Sequence, residues 1–98
     1  MTEAELQQTI RLDTPPGWVL FRNNTGVAYN KNGRPVQFGL CKGSADLIGW
    51  NPDGRFVAIE VKGPKGRVTH EQQRFINAVN HAGGIGVIAR SIDDLPWR

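Results

Sequence analysis

Three residues in this chain have the types and spacing to do chemistry together: Asp46, Glu60 and Lys62. Along the run Arg55 to Lys62, RFVAIEVK, side chains of an extended strand alternate between faces, so Val57, Ile59 and Val61 share one side. Phe56, Ala58, Glu60 and Lys62 share the other. Placing an acid and a base in an otherwise apolar strand is unfavourable unless they pair or meet a ligand. A plain ion pair explains Glu60 and Lys62 as well as a functional site does, as long as the strand is read alone. Asp46 changes that balance, because it heads the preceding strand of a hairpin and can approach Glu60 across the ladder. Two carboxylates that converge, completed by water and a phosphate, form the oxygen set magnesium prefers. Such an ion would bind a phosphodiester and lower the pKa of an attacking water. The Lys62 ammonium would then stabilise charge growing on the phosphate or help position the water.

The elements that must position these residues follow from local signals. A first helix is expected from about Thr2 to Leu12, capped by Thr2, buried through Leu6 and Ile10, and ended by Pro15-Pro16-Gly17. Trp18 to Arg22 reads as a strand, Asn23 to Gly26 as a turn, and Val27-Ala28-Tyr29 as a shorter extended piece. Val36 to Leu40 fits either a returning strand or a surface loop. Ala45 to Trp50 and Arg55 to Lys62, separated by Asn51-Pro52-Asp53-Gly54, form a hairpin. A second helix spans about Thr69 to Ala82, with Thr69 and Gln72 as a capping box and Phe75, Ile76 and Val79 as its apolar face. Gly83-Gly84 ends it, Ile85 to Ala89 follows as a buried strand, and Ser91 to Asp94 caps a short final turn. The coarse order is α-β-β-β-α-β.

Gly43-Ser44-Ala45-Asp46 followed by Glu60-Val61-Lys62 resembles the PD-(D/E)XK nuclease signature. Added to these, Glu3, Leu6 and Gln7, Asn24 with Gly26, and the series Thr69, Gln72, Phe75 make the chain similar to the VRR-NUC family of virus-type replication and repair nucleases. The one departure is Ala45, where the signature has a proline before the aspartate; the carboxylate stays, while the rigidity of its turn changes. The resemblance implies an α/β fold with a restriction-endonuclease-like core, a mixed β-sheet flanked by helices, in agreement with the order above. It also implies divalent-metal hydrolysis of DNA phosphodiesters by Asp46, Glu60, Lys62 and Gln72. The metal, magnesium with manganese as a substitute, would be held by Glu3, Asp46, Glu60 and Val61. Stand-alone members are expected to be homodimers acting on branched DNA such as four-way junctions, and a replication and repair setting in a bacterial or phage-infected cell follows from the same resemblance.

Glu3 shares a helical stripe with Leu6 and Ile10, which makes it the choice for the helical acid, and Glu5, on another face, is expected in solvent. The alternative for Glu3 is a simple complement to the helix dipole. Gln72 is expected to bond Lys62 or a phosphate besides capping its helix. Lys42, Lys65 and Arg67 flank the two site loops as candidate DNA contacts, with Arg22, Arg34 and Arg55 as an extension. His70 and His81 lack metal spacing and are expected on the surface. Trp18, Trp50 and Trp97 are expected in the core or a dimer contact, and Gly39, Gly43 and Gly63 where backbone approaches closely.

Ninety-eight residues, 39% hydrophobic and 21% charged, suit one domain with a modest core, and the net charge of +3 suits a polyanionic partner. The single cysteine, Cys41, excludes an intrachain disulfide and a multi-cysteine zinc cage. The acidic first residues and the lack of a long apolar run point to a cytoplasmic protein with no membrane partner, and no motif calls for a small-molecule cofactor. A non-catalytic, basic nucleic-acid-binding module remains the competing function. It would gain nothing from carboxylates gathered where a polyanion must sit.

Overall fold

The computed structural model describes residues 1–98. Helix α1 (Glu3–Asp13) precedes three strands, β1 (Val19–Arg22), β2 (Gly26–Tyr29) and β3 (Pro35–Phe38). Strands β4 (Leu47–Trp50) and β5 (Phe56–Val61), helix α2 (His70–His81), strand β6 (Ile85–Ala89) and a 3-10 turn (Ile92–Asp94) complete the chain. No helix is long and apolar enough to cross a membrane.

A four-stranded mixed sheet in the order β1-β4-β5-β6 forms the centre, with β5 and β6 parallel and the other pairs antiparallel. The parallel pair requires a crossover, and α2 supplies it. Each helix covers one face. On the α1 side, Leu6 and Ile10 pack with Leu47, Val57, Ile59 and Val61, all buried. On the α2 side, Ile76 and Val79 pack with Ala45 and Ala58. The two faces of β5 are thus the two sets that alternation separates. Trp18 and Trp97 meet edge to face at 5.3 Å against the α1-side core. Trp50 stays partly exposed beside Phe21 on the β1–β4 face.

The expected order describes this four-stranded unit, but the chain has six strands. The extra two form a separate antiparallel ribbon, β2–β3, inserted between β1 and β4. Of the two readings open for the segment after Arg34, the strand is present at Pro35–Phe38, and it turns away at Gly39 instead of joining the main sheet. The hairpin between β4 and β5 turns on Asn51, whose buried side-chain oxygen accepts from the Asp53 and Arg55 amides at 3.0 and 2.8 Å. Gly49 marks the closest approach in the sheet, since a Cβ there would overlap the Val19 carbonyl oxygen of β1. Gly49→Ala is expected to loosen the β1–β4 pairing and lower stability by roughly 1–3 kcal/mol in urea denaturation.

Candidate active site

The site forms where the β4–β5 ladder runs out. Regular pairing ends at Leu47 opposite Ile59, one residue before Asp46 and Glu60 would face each other. The Val61 amide, which has lost its ladder partner, donates instead to Asp46 Oδ2 at 2.9 Å. A strand residue directs its N–H and C=O to the same edge, so the Val61 carbonyl faces the edge where Asp46 stands. On its other flank Asp46 is held by β1: the Asn23 amide donates to the Asp46 carbonyl at 2.8 Å. The Asn23 side-chain amide donates to Ser44 Oγ and the Ala45 carbonyl at 2.9 and 2.8 Å. Asn23 therefore clamps the turn that lacks the proline. Gly43, just upstream, has φ +88, and a Cβ there would come within 2.6 Å of Glu71 in α2, so the turn lies directly against that helix.

Glu60 is 2% exposed and Lys62 8%. Lys62 Nζ lies 3.6 Å from Glu60 Oε2, and the Lys62 amide ties the end of β5 to the Ala89 carbonyl at 2.9 Å. Gln72 reaches the same carboxylate, donating from Nε2 to Glu60 Oε2 at 3.2 Å. Its other amide atom is occupied by the capping box: the Thr69 amide donates to Gln72 Oε1 at 2.9 Å, and the Gln72 amide donates to Thr69 Oγ1 at 3.1 Å. The cap thus orients the side chain so that its NH₂ meets the acid. Of the two partners expected for Gln72, Lys62 or a phosphate, Lys62 is not the one bonded; Gln72 bonds Glu60, because Lys62 carries only donors and a fixed amide donor suits a carboxylate.

Burial, and next the adjacent Asp46 carboxylate, push Glu60 up to about 8, against an opposing pull from Lys62. Two carboxyl groups and one ammonium leave the cluster short of positive charge. Asp46, Glu60 and the Val61 carbonyl are hard oxygen donors, and a divalent cation would supply the missing charge, so the residues present fit magnesium.

Glu3 approaches from the other side. A Cβ at Gly66 would lie 3.3 Å from both Glu3 Oε2 and Lys62 Cδ, which puts the Glu3 carboxylate beside the lysine stem. Glu3 and Asp46 also line one open cleft of about 460 Å³ together with Arg11 and Arg22. They do not close with Glu60 into a three-acid cluster. Glu5 is exposed, as expected, and it also bonds the Thr2 amide at 3.0 Å in a second capping box. The loop after β5, with exposed Lys65 and Arg67, is stapled by Arg90, whose Nη1 donates to the Gly63 and Gly66 carbonyls, both at 2.9 Å. Lys42 is exposed and sits 3.6 Å from Glu71 in a surface ion pair. His70 and His81 are exposed, as expected. Of the three glycines expected at close approaches, Gly39 and Gly43 are required; a Cβ at Gly63 meets nothing closer than 3.6 Å. Asn23 and Arg90 are the site-supporting residues that sequence reasoning missed; Asn23 sits in the Asn23-Asn24-Thr25-Gly26 turn, and nothing local distinguishes it from its neighbour.

The VRR-NUC domain model matches residues 33–92, which is more than half of the chain. The chain belongs to the VRR-NUC domain family. It is accordingly a nuclease of the PD-(D/E)XK type with DNA as its substrate, and its mixed sheet between two helices is the restriction-endonuclease-like core of that type. The VRR-NUC match includes Asp46, Glu60, Val61, Lys62 and Gln72, whereas α1 with Glu3, β1 and β2 lie outside it. No curated protein and no solved structure shows a significant match.

Because the folded value of Glu60 lies above its ordinary 4.5, the stability it contributes is fully present in acid and is lost as pH rises from about 4.5 through about 8. Glu60→Gln, which imitates the protonated acid, is expected to melt with the parent near pH 4.5 and on the order of 5–10 °C above it beyond pH 8, in chelator. A gap that stays flat with pH would refute the assignment.

Proposed function

We propose that this VRR-NUC domain is a metal-dependent endonuclease whose site is Asp46, Glu60 and Lys62, with Gln72 as a positioning residue. The observation that carries this reading is the approach of Asp46 to a buried Glu60 beside Lys62, an arrangement short of positive charge at the open end of a strand ladder. Asp46, Glu60 and the Val61 carbonyl would hold magnesium, or manganese in its place, with Glu3 reaching the same cleft from α1. Bound there, the cation supplies a lowered pKa for an attacking water and neutralises the scissile phosphate.

The chain's own residues do the rest. The Val61 amide fixes one oxygen of Asp46. Gln72 orients Glu60 through a side chain that its helix cap holds still. Lys62, nearly buried, offers a desolvated ammonium to the non-bridging oxygens of the phosphate, where charge grows in the transition state. Arg22 in the cleft, and Lys65 and Arg67 on the stapled loop, contact the flanking backbone; Lys42 joins them by exchanging Glu71 for a phosphate. The 98 residues act as one domain, as a homodimer that selects branched DNA such as four-way junctions, in the cytoplasm of a bacterial or phage-infected cell.

The test is cleavage of labelled four-way junction, flap, duplex and single-stranded DNA with magnesium, manganese or chelator. The parent is expected to cut only with metal, and Asp46→Asn and Lys62→Ala to lose at least roughly 100-fold while still folding and binding. If all three bind and none cuts with any metal, the domain is a binding module and its carboxylates are structural.

A further inference from the structure

The β2–β3 ribbon stands apart from everything else in the fold. Residues 27–42 are all exposed, and the ribbon makes no extended contact with either helix or with the main sheet. Its register puts Val36 and Phe38 on one face and Val27 and Tyr29 on the other, so apolar side chains look outward on both sides. A lone two-stranded ribbon is marginal in water, and this one is shaped for a partner. Its tip is nevertheless closed by hydrogen bonds. Asn30 Oδ1 accepts from the Asn32 and Arg34 amides at 2.9 and 3.0 Å, and the Asn30 amide donates to the Arg34 carbonyl at 2.9 Å.

Charge identifies the partner. Between Asp13 and Asp46 the chain contains no acidic residue, while Arg22, Lys31, Arg34 and Lys42 all lie there. A second ribbon docked symmetrically would bring a second Lys31 and Arg34 into the same interface, with no acid in either ribbon to offset them. A duplex offers the opposite sign on both walls of a major groove about 12 Å wide, which admits a two-stranded ribbon, and apolar groups on its floor. The ribbon's root is also at the site. It leaves the main sheet at Asn23 and returns through Ser44, the two residues joined by the clamp behind Asp46. Asn23 to Thr25 and Asp46 line the same hollow.

We propose that the β2–β3 ribbon is a groove-binding arm that lies in the major groove of a duplex flanking the cleaved bond, with Lys31 and Arg34 on its phosphates. At about 3.3 Å per residue, the path from Asn23 to Lys31 spans roughly 25 Å. That distance places the tip contact roughly seven base pairs from the phosphate at Asp46. The inference rests on the nuclease reading only for what happens at Asp46; binding by the arm does not need cleavage.

The experiment therefore uses the Asp46→Asn protein in chelator, with a fluorescent duplex of about two helical turns. Affinity is followed by anisotropy from ~50 to ~200 mM salt. Lys31→Ala/Arg34→Ala is expected to weaken binding about tenfold at the lowest salt, to reduce the slope of log K against log salt by about 2, and to leave the melting temperature unchanged. Unchanged affinity and slope in that double variant overturn the arm. So does a Tyr29→Asp protein that falls from dimer to monomer by light scattering yet binds DNA as before, because the ribbon is then covered by a second copy. If the parent protein, with Asp46 intact and magnesium or manganese present, binds but never cuts, the nuclease reading fails and the arm stands. If it cuts, and the double variant cuts with unchanged KM, the arm alone fails.

Discussion

A carboxyl group buried at the end of β5 constrains the structure around it. Glu60 keeps only 2% of its surface exposed, so each of its neighbours must contribute something that water would have given. Gln72 contributes a donor from α2, Lys62 a charge from the same strand face, and Asp46 an additional negative charge that the other two do not offset. A core built only for stability would replace this cluster with apolar side chains of similar volume. Its retention in a strand otherwise made of Phe, Val, Ala and Ile is the physical reason to read the cluster as chemistry.

The position of the cluster follows from sheet geometry. Antiparallel strands satisfy their backbone groups only while they run side by side, and β5 continues past the start of β4. The unmatched amide of Val61 gives Asp46 a fixed seat, and the unmatched edge leaves the carboxylates open to a ligand. Arg90, at the end of β6, holds the next loop from behind, and Glu3 meets that loop from the start of α1. Four elements thus converge on one corner.

Much of this was legible because it depends on short-range periodicity. Alternation along Arg55 to Lys62 sets Glu60 and Lys62 on one face whatever the rest of the fold does, and a Thr followed three positions later by Gln marks the start of α2. The same pattern at Thr2 and Glu5 carries a full capping box, of which Thr2 alone is the expected cap. Asn23 and Arg90 were not legible, since their partners lie more than twenty residues away and nothing local distinguishes them from other polar residues. The ribbon was ambiguous for a different reason: its strands have no core to face, so the in-and-out pattern by which strands are recognised is absent from them.

Gln72 belongs to two structures at once, the first turn of a helix and the acid site. Helix ends open more readily than helix middles, and an open first turn would release the Gln72 side chain together with the Thr69 cap. Glu60 would then lose its only hydrogen-bond donor from outside the strand. The fraction of molecules with an assembled site is therefore tied to fraying at the start of α2, and anything that stiffens that turn, including a phosphate lodged at its amides, tightens the chemistry beside it.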